Sequence, residues 1–313
     1  MKTITWLTLL ACLIFVSSVK SLAQTTNPSR GVVDQVTVPL MIENNRPFIN
    51  INLRRADGST RVARFLVDSG GGAFQMTEPL VRDLGLHWGE THQEDGNKFA
   101  VLTEMPKAFV GDFPLELNPE RVGVELESDN ILPPVAGHAD GMLPGMVLAH
   151  YLVIFDYPGA RFTLARPNVL TPKGNSLPMP VGKESGFPHT EIEVAGTKYG
   201  MMIDTGASFT MVSEALLQSW GRDHPEWPRY QGAYGEAKTL GGATLETMTI
   251  PGGLWGTNKL AEFGVTSQRE GHFERVMSKW VGAPVVGSLA GNVLKRFRLV
   301  MDYPNAKLYI SGP

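Results

Sequence analysis

Apolar and polar residues alternate over Phe48-Ile-Asn-Ile-Asn-Leu53 and again over His189-Thr-Glu-Ile-Glu-Val194. A period of two is the signature of a strand with one buried face. Each run is followed by turn residues, Asp57-Gly58 or Ala195-Gly196, and then by a second apolar-rich segment ending in aspartate. The runs Leu152 to Phe155 and Arg298 to Met301 are apolar enough to be inner strands. Helical periodicity is scarce. Two short helices are expected, capped by Thr77 and Ser213 and stopped by Gly85 and Gly221. The pattern therefore predicts an all-β chain with minor helix.

The elements come in two copies. Phe65-Leu-Val-Asp68-Ser-Gly-Gly-Gly-Ala-Phe-Gln-Met-Thr-Glu78 parallels Met201-Met-Ile-Asp204-Thr-Gly-Ala-Ser-Phe-Thr-Met-Val-Ser-Glu214. Further on, Gly141-Met-Leu-Pro-Gly145-Met-Val-Leu148 precedes Phe155-Asp156-Tyr-Pro, and Gly287-Ser-Leu-Ala-Gly291-Asn-Val-Leu294 precedes Met301-Asp302-Tyr-Pro. Matched spacing within each copy marks an internal duplication. It predicts one lobe over residues 36–166, a proline-rich linker over 167–175 and a second lobe over 176–313. The linker reading rests on the proline-rich stretch Pro167 to Pro180, with Pro167, Pro172 and Gly174 in the linker itself and Pro178 and Pro180 just beyond it.

The N-terminus reads as an export signal. Lys2 precedes an apolar run from Trp6 to Val16, and small residues follow as far as Ser21-Leu-Ala23. Residues 1–23 are thus expected to be a signal peptide and 24–35 a short N-terminal segment. The run is too short for a confident membrane span, so the mature chain is expected in the periplasm or secreted, without a stable span. Cys12 is the single cysteine of the chain. Cleavage would leave none, excluding disulfides, thiol catalysis and thiolate metal sites. The formal net charge of −3 becomes more negative without Lys2 and Lys20, and there is no basic run. Nucleic acid is not an expected partner.

One Asp-(Ser/Thr)-Gly tripeptide is an ordinary turn. Two, in equivalent places of a duplicated fold, can meet on a pseudo-two-fold axis as they would in a symmetric dimer. Two carboxylates at close range share a proton. The ionised member can then activate water while the protonated one polarises a carbonyl. Other chemistries find less support. The seven histidines show no HExxH or comparable spacing, so no metal is expected. No Gly-x-Ser-x-Gly elbow occurs. Asp156 and Asp302, also paired by the repeat, read as turn residues. Trp88, Trp220, Trp227, Trp255 and Trp280 read mainly as core, with a groove lining as the other use.

On these residues the chain resembles the aspartic peptidases, closest to the retropepsin-like branch in a form with two fused lobes, over about residues 36–311. Val67-Asp68-Ser69-Gly70 and Ile203-Asp204-Thr205-Gly206-Ala207 are similar to the family's catalytic loop. The resemblance implies β-barrel lobes, an Asp68/Asp204 dyad holding the catalytic water, Ser69 and Thr205 bracing the loops, and Gly70 and Gly206 giving the tight backbone path. It implies endopeptidase activity on peptides or unfolded proteins, with no cofactor and no homodimer needed for the site. It also implies a flap, for which Asp95-Gly96 and the segment around Tyr234-Gly235 are candidates. The pattern departs in two respects. Gly71 stands where Ala or Ser is usual, and Pro144 and Ala290 stand where a later motif has glycine, with Gly145 and Gly291 one step on. Those departures keep open a catalytically weak or inactive protein of the same fold that binds peptides or a partner protein.

Overall fold

The computed structural model describes residues 33–94, 97–127, 139–230, 247–268 and 271–312. The strands of the first half are β1 (Gln35–Pro39), β2 (Met41–Glu43), β3 (Arg46–Arg54), β4 (Thr60–Asp68), β5 (Phe74–Thr77), β6 (Trp88–Glu94), β7 (Asn97–Leu102), β8 (Ala108–Val110), β9 (Phe113–Pro114), β10 (Val122–Glu127), β11 (Gly141–Pro144), β12 (Leu152–Asp156) and β13 (Arg161–Ala165). Those of the second half are β14 (Ser176–Pro178), β15 (His189–Val194), β16 (Thr197–Ile203), β17 (Thr210–Ser213), β18 (Thr247–Ile250), β19 (Gly253–Trp255), β20 (Asn258–Leu260), β21 (Phe263–Gln268), β22 (Gly287–Leu289), β23 (Arg298–Asp302) and β24 (Lys307–Ser311). The all-β expectation with minor helix holds.

Each half builds one large sheet. The first runs β6-β7-β10-β5-β11-β4-β3-β8-β9 and the second β18-β21-β17-β22-β16-β15-β19-β20. From β7 onward the two orders match strand for strand, which is the duplication seen as topology. In each, a short strand threads between two others. Gly141 to Pro144 in β11 lies parallel to Phe65 to Asp68 in β4 and antiparallel to β5. Met201 to Ile203 in β16 lies parallel to Gly287 to Leu289 in β22, which is antiparallel to β17.

A third sheet, ordered β1-β13-β12-β23-β24-β14, takes three strands from each half. At its centre β12 meets β23 antiparallel, with Leu152 opposite Asp302, Ile154 opposite Val300 and Asp156 opposite Arg298. The register is itself two-fold: its midpoint is a pair of equivalent residues. β14 lies inside the proline-rich stretch and pairs with β24, since Pro178 tolerates an edge strand. The main core cluster is continuous from one half to the other, with Phe65, Phe155, Trp255 and Phe297 all buried in it.

The helices are short. α1 (Glu78–Asp83) starts after Thr77, whose hydroxyl makes no capping hydrogen bond, contrary to the expectation, and ends at Gly85, whose φ of +72° suits glycine. Its end is closed by Gly85 N–H donating to Arg82 and Leu86 N–H to Val81. α2 (Gly145–Leu148) follows β11. α3 (Glu214–Asp223) is capped by the Ser213 hydroxyl, which accepts from Leu216 N–H at 3.3 Å. Gly221 does not stop it, contrary to the sequence expectation. The helix runs two residues further because Leu217 and Trp220 bury one face, and tertiary packing outweighs the modest cost of an interior glycine. A π-helical turn (His272–Met277) leads into α4 (Ser278–Val281), and α5 (Gly291–Leu294) follows β22. No described helix is long and apolar enough to cross a membrane.

Candidate active site

Two loops meet where the halves face each other. β4 ends at Asp68, and β16 delivers Asp204 in the residue after Ile203. Four hydrogen bonds lace the loops crosswise. Ser69 N–H donates to Thr205 Oγ1 at 2.9 Å and Thr205 N–H to Ser69 Oγ at 3.0 Å. The Ser69 hydroxyl donates to the Ile203 carbonyl and the Thr205 hydroxyl to the Val67 carbonyl, both at 2.7 Å. Both side chains are fully buried. All their polar groups are therefore spoken for, and neither hydroxyl faces the groove as a nucleophile.

Tight backbone approach brings the carboxyls together. A Cβ on Gly206 would fall 2.2 Å from Asp68 Cγ, and one on Gly70 3.2 Å from Asp204 Cγ. Each glycine thus backs the carboxyl of the opposite loop, and a side chain at Gly206 would displace it. Asp68 Oδ1 accepts from Gly70 N–H at 2.8 Å and Asp204 Oδ1 from Ala207 N–H at 2.9 Å. The two carboxyls lie within hydrogen-bonding reach of each other.

The electrostatics follow from that geometry. Burial, and then the Asp204 charge, push the Asp68 carboxyl up to about 7. Asp204 is raised as well, chiefly by burial, against the pull of the Ala207 N–H and of Arg46. Arg46 acts on both carboxyls in the charged form's favour, but burial wins at each. The pair therefore holds a proton to higher pH than isolated carboxyls would.

The glycines displaced by Pro144 and Ala290 have moved by one residue. Gly145 opens α2, where a Cβ would fall 2.2 Å from the Ser69 carbonyl oxygen, and Gly291 opens α5. The small residue still sits against the aspartate loop of the first lobe, on the helix instead of the strand. In the second lobe Asn292 fills the space beside it. Its Oδ1 accepts from Thr210 N–H and hydroxyl, both at 2.8 Å, and its Nδ2 donates to the Gly264 carbonyl at 2.8 Å. The equivalent residue in the first lobe is Met146, which lines the groove.

A family model described as aspartyl protease matches residues 190–260. Among solved structures, an aspartic proteinase from Irpex lacteus matches with a TM-score of 0.50 and 12% sequence identity, covering 89% of this chain and 97% of that chain. No curated protein matches the sequence. The chain has the fold of an aspartic peptidase.

In this aspartic peptidase fold the two carboxyls lie on the floor of an open groove of ≈ 780 Å³. Phe99, Val101 and Arg121 border it on the first lobe, and Phe187, His272 and Trp280 on the second. Arg46 reaches in beside the aspartates. Asp156 and Asp302 lie away from it and hold turns: Asp156 accepts from Gly159 N–H and Arg161, Asp302 from Asn305. Trp255 and Trp220 are core, and only Trp280, 41% exposed, is a groove residue. The candidate flap residues Asp95, Gly96, Tyr234 and Gly235 lie outside the described residues. The strands on either side of Asp95 and Gly96, β6 and β7, pair antiparallel.

Sequence reasoning missed Arg46, Arg121 and Phe187. One signal was available. Arg46-Pro47 and Phe187-Pro188 each stand just ahead of an alternating run, in matched places of the repeat. The hairpins after them differ in length, so counting from the aspartates hides the match.

Proposed function

We propose that the chain is an aspartic endopeptidase whose Asp68/Asp204 pair activates water against a peptide bond. The observation that carries this reading is the crosswise meeting of two Asp-(Ser/Thr)-Gly loops at the floor of one open groove. Ser69 and Thr205 then brace the loops, and Gly70 and Gly206 let the carboxyls approach. With one proton on the pair, the ionised carboxylate takes a proton from water as that water attacks the scissile carbonyl. The protonated carboxyl donates to the carbonyl oxygen, and the tetrahedral species collapses as the leaving nitrogen is protonated. The Gly70 and Ala207 N–H groups hold one oxygen of each carboxyl in place, leaving the other for the reaction.

An open groove suits an extended peptide, so the substrate is a peptide or an unfolded protein. Both carboxyls come from one chain, so no homodimer is required. The charged start, apolar run and small residues of positions 1–23 support export to the periplasm or the outside. A peptide carrying a hydroxyl in place of the scissile carbonyl mimics the tetrahedral species. It should bind the wild type at least tenfold more tightly than Asp68→Asn or Asp204→Asn, measured by calorimetry. Equal affinity for all three would remove the dyad from the mechanism.

A further inference from the structure

The groove is built on a two-fold, but one pair of equivalent residues breaks it. Phe48 pairs with Leu66 across β3 and β4, and His189 pairs with Met202 across β15 and β16. Leu66 and Met202 each stand two residues before their aspartate. Phe48 is therefore equivalent to His189, and Arg46-Pro47 to Phe187-Pro188. Both Arg46 and Phe187 line the groove. One arm thus presents a guanidinium where the other presents an aromatic ring.

Among the described residues Arg46 makes no close ion pair, and the charges it acts on are the dyad carboxyls. Its Nε is buried with no hydrogen-bond partner. The carboxylate opposite it on β2, Glu43, is ion-paired with Arg64 at 2.7 Å. The dyad carboxyls feel its charge, yet their described backbone bonds come from Gly70 and Ala207. The segment carrying it is held firmly. Asn44 and Asn45 turn the chain with φ of 48° and 65°. Asn45 Nδ2 donates to the Ser208 carbonyl at 3.1 Å, and Lys295 Nζ donates to Asn45 Oδ1 at 2.7 Å. The first-lobe turn is thereby docked on the loop after Asp204, and Arg46 is set in place before any ligand arrives.

The opposite arm is equally prebuilt. Phe187 packs against Trp280 with ring centroids 6.3 Å apart. Ser185 Oγ donates to the Trp280 carbonyl at 2.8 Å and accepts from Phe187 N–H at 3.1 Å, tying the strand entrance to α4. A planar, permanently charged guanidinium lining the groove fits a carboxylate, and a wall made of the buried Phe187 ring and the 41% exposed Trp280 fits an apolar side chain.

We propose that Arg46 is a specificity-determining residue that binds a substrate carboxylate, while the Phe187–Trp280 wall takes an apolar side chain. The two-fold places these side chains on opposite sides of the scissile bond, at matching separations from it. This rests on the peptidase reading for the word substrate, but the anion site can be tested apart from cleavage. Two peptide sets are needed, each with an aromatic residue on one side of the central bond and Glu, Gln or Lys on the other. One set carries an ordinary amide and the other an uncleavable hydroxyethylene unit.

Wild type should favour Glu over Gln by roughly tenfold or more, in kcat/KM for the first set and in affinity for the second. Arg46→Gln should bring that ratio to about one, Arg46→Lys should keep part of it, and Arg46→Glu should turn the preference toward Lys. Cleavage with the same Glu-to-Gln ratio in wild type and Arg46→Gln would overturn the proposal and leave the peptidase standing. Absence of cleavage together with an Arg46-dependent Glu preference in affinity would support the anion site and remove the peptidase. Absence of both would overturn both. Should Arg46→Glu not fold, the Gln and Lys variants decide the outcome.

Discussion

At the scale of single residues the decisive feature is the cost of placing two carboxyls in one half-buried site. Burial and mutual charge raise Asp68 from 3.8 to about 7. A raised carboxyl binds its proton more tightly in the folded chain than in the unfolded one. Its contribution to stability is full below 3.8 and is lost as pH rises through about 7. Asparagine in its place carries no such loss. Asp68→Asn should therefore gain melting temperature relative to wild type as pH is raised across that window, while the two differ little below it. A stability difference of 1 kcal/mol corresponds to roughly 2–4 °C in a chain of this size. A constant offset from acid to neutral pH, read by thermal melts, would contradict strain in the pair. The aspartates were legible because the sequence repeats them with their surroundings. Arg46 was not, because nothing around it repeats as chemistry: its equivalent is Phe187.

At the scale of elements, legibility followed burial pattern. β3 and β15 alternate in sequence as they do in the structure, and β12 and β23 are apolar because both faces are covered. The short strands β2, β9, β14 and β20 were not legible, since strands this short, of two or three residues, carry no period. α3 overran Gly221 because a tertiary contact at Trp220 decided its length. The altered glycine motif could not be resolved from spacing alone, because strand and helix starts differ by a single residue there. Asn292 shows what the second lobe put in the remaining space. It satisfies the Thr210 N–H and hydroxyl and the Gly264 carbonyl, all inside the core. Asn292→Leu should cost about 2–4 kcal/mol in urea unfolding, since these groups lose their partner where water does not reach. A loss below ~0.5 kcal/mol would mean that water or repacking replaces the amide.

At the scale of the molecule, the two halves are joined by a sheet that neither completes alone. β12 and β23 pair about a midpoint at Ile154 and Val300, and the two aspartate loops are laced to each other crosswise. The duplication, its two-fold and the meeting of two loops were all implied by matched spacing. The asymmetry of the groove was not, because it depends on hairpin lengths that spacing conceals. One consequence concerns association. If both carboxyls of the site belong to one chain, specific activity should stay constant as the protein is diluted across the range where a weak dimer would dissociate. Activity that falls faster than concentration, followed with a fluorogenic peptide, would show that a second copy is needed.

The central claim is that Asp68 and Asp204 together hydrolyse peptide bonds. Its most direct test is digestion of a denatured protein by the purified chain from acid to neutral pH, beside Asp68→Asn and Asp204→Asn. The account predicts cleavage by the wild type that declines as pH rises through about 7, where the shared proton is lost. It predicts that both folded variants are inactive. Undiminished cleavage by either variant, or no cleavage by the wild type anywhere in that range, would contradict it.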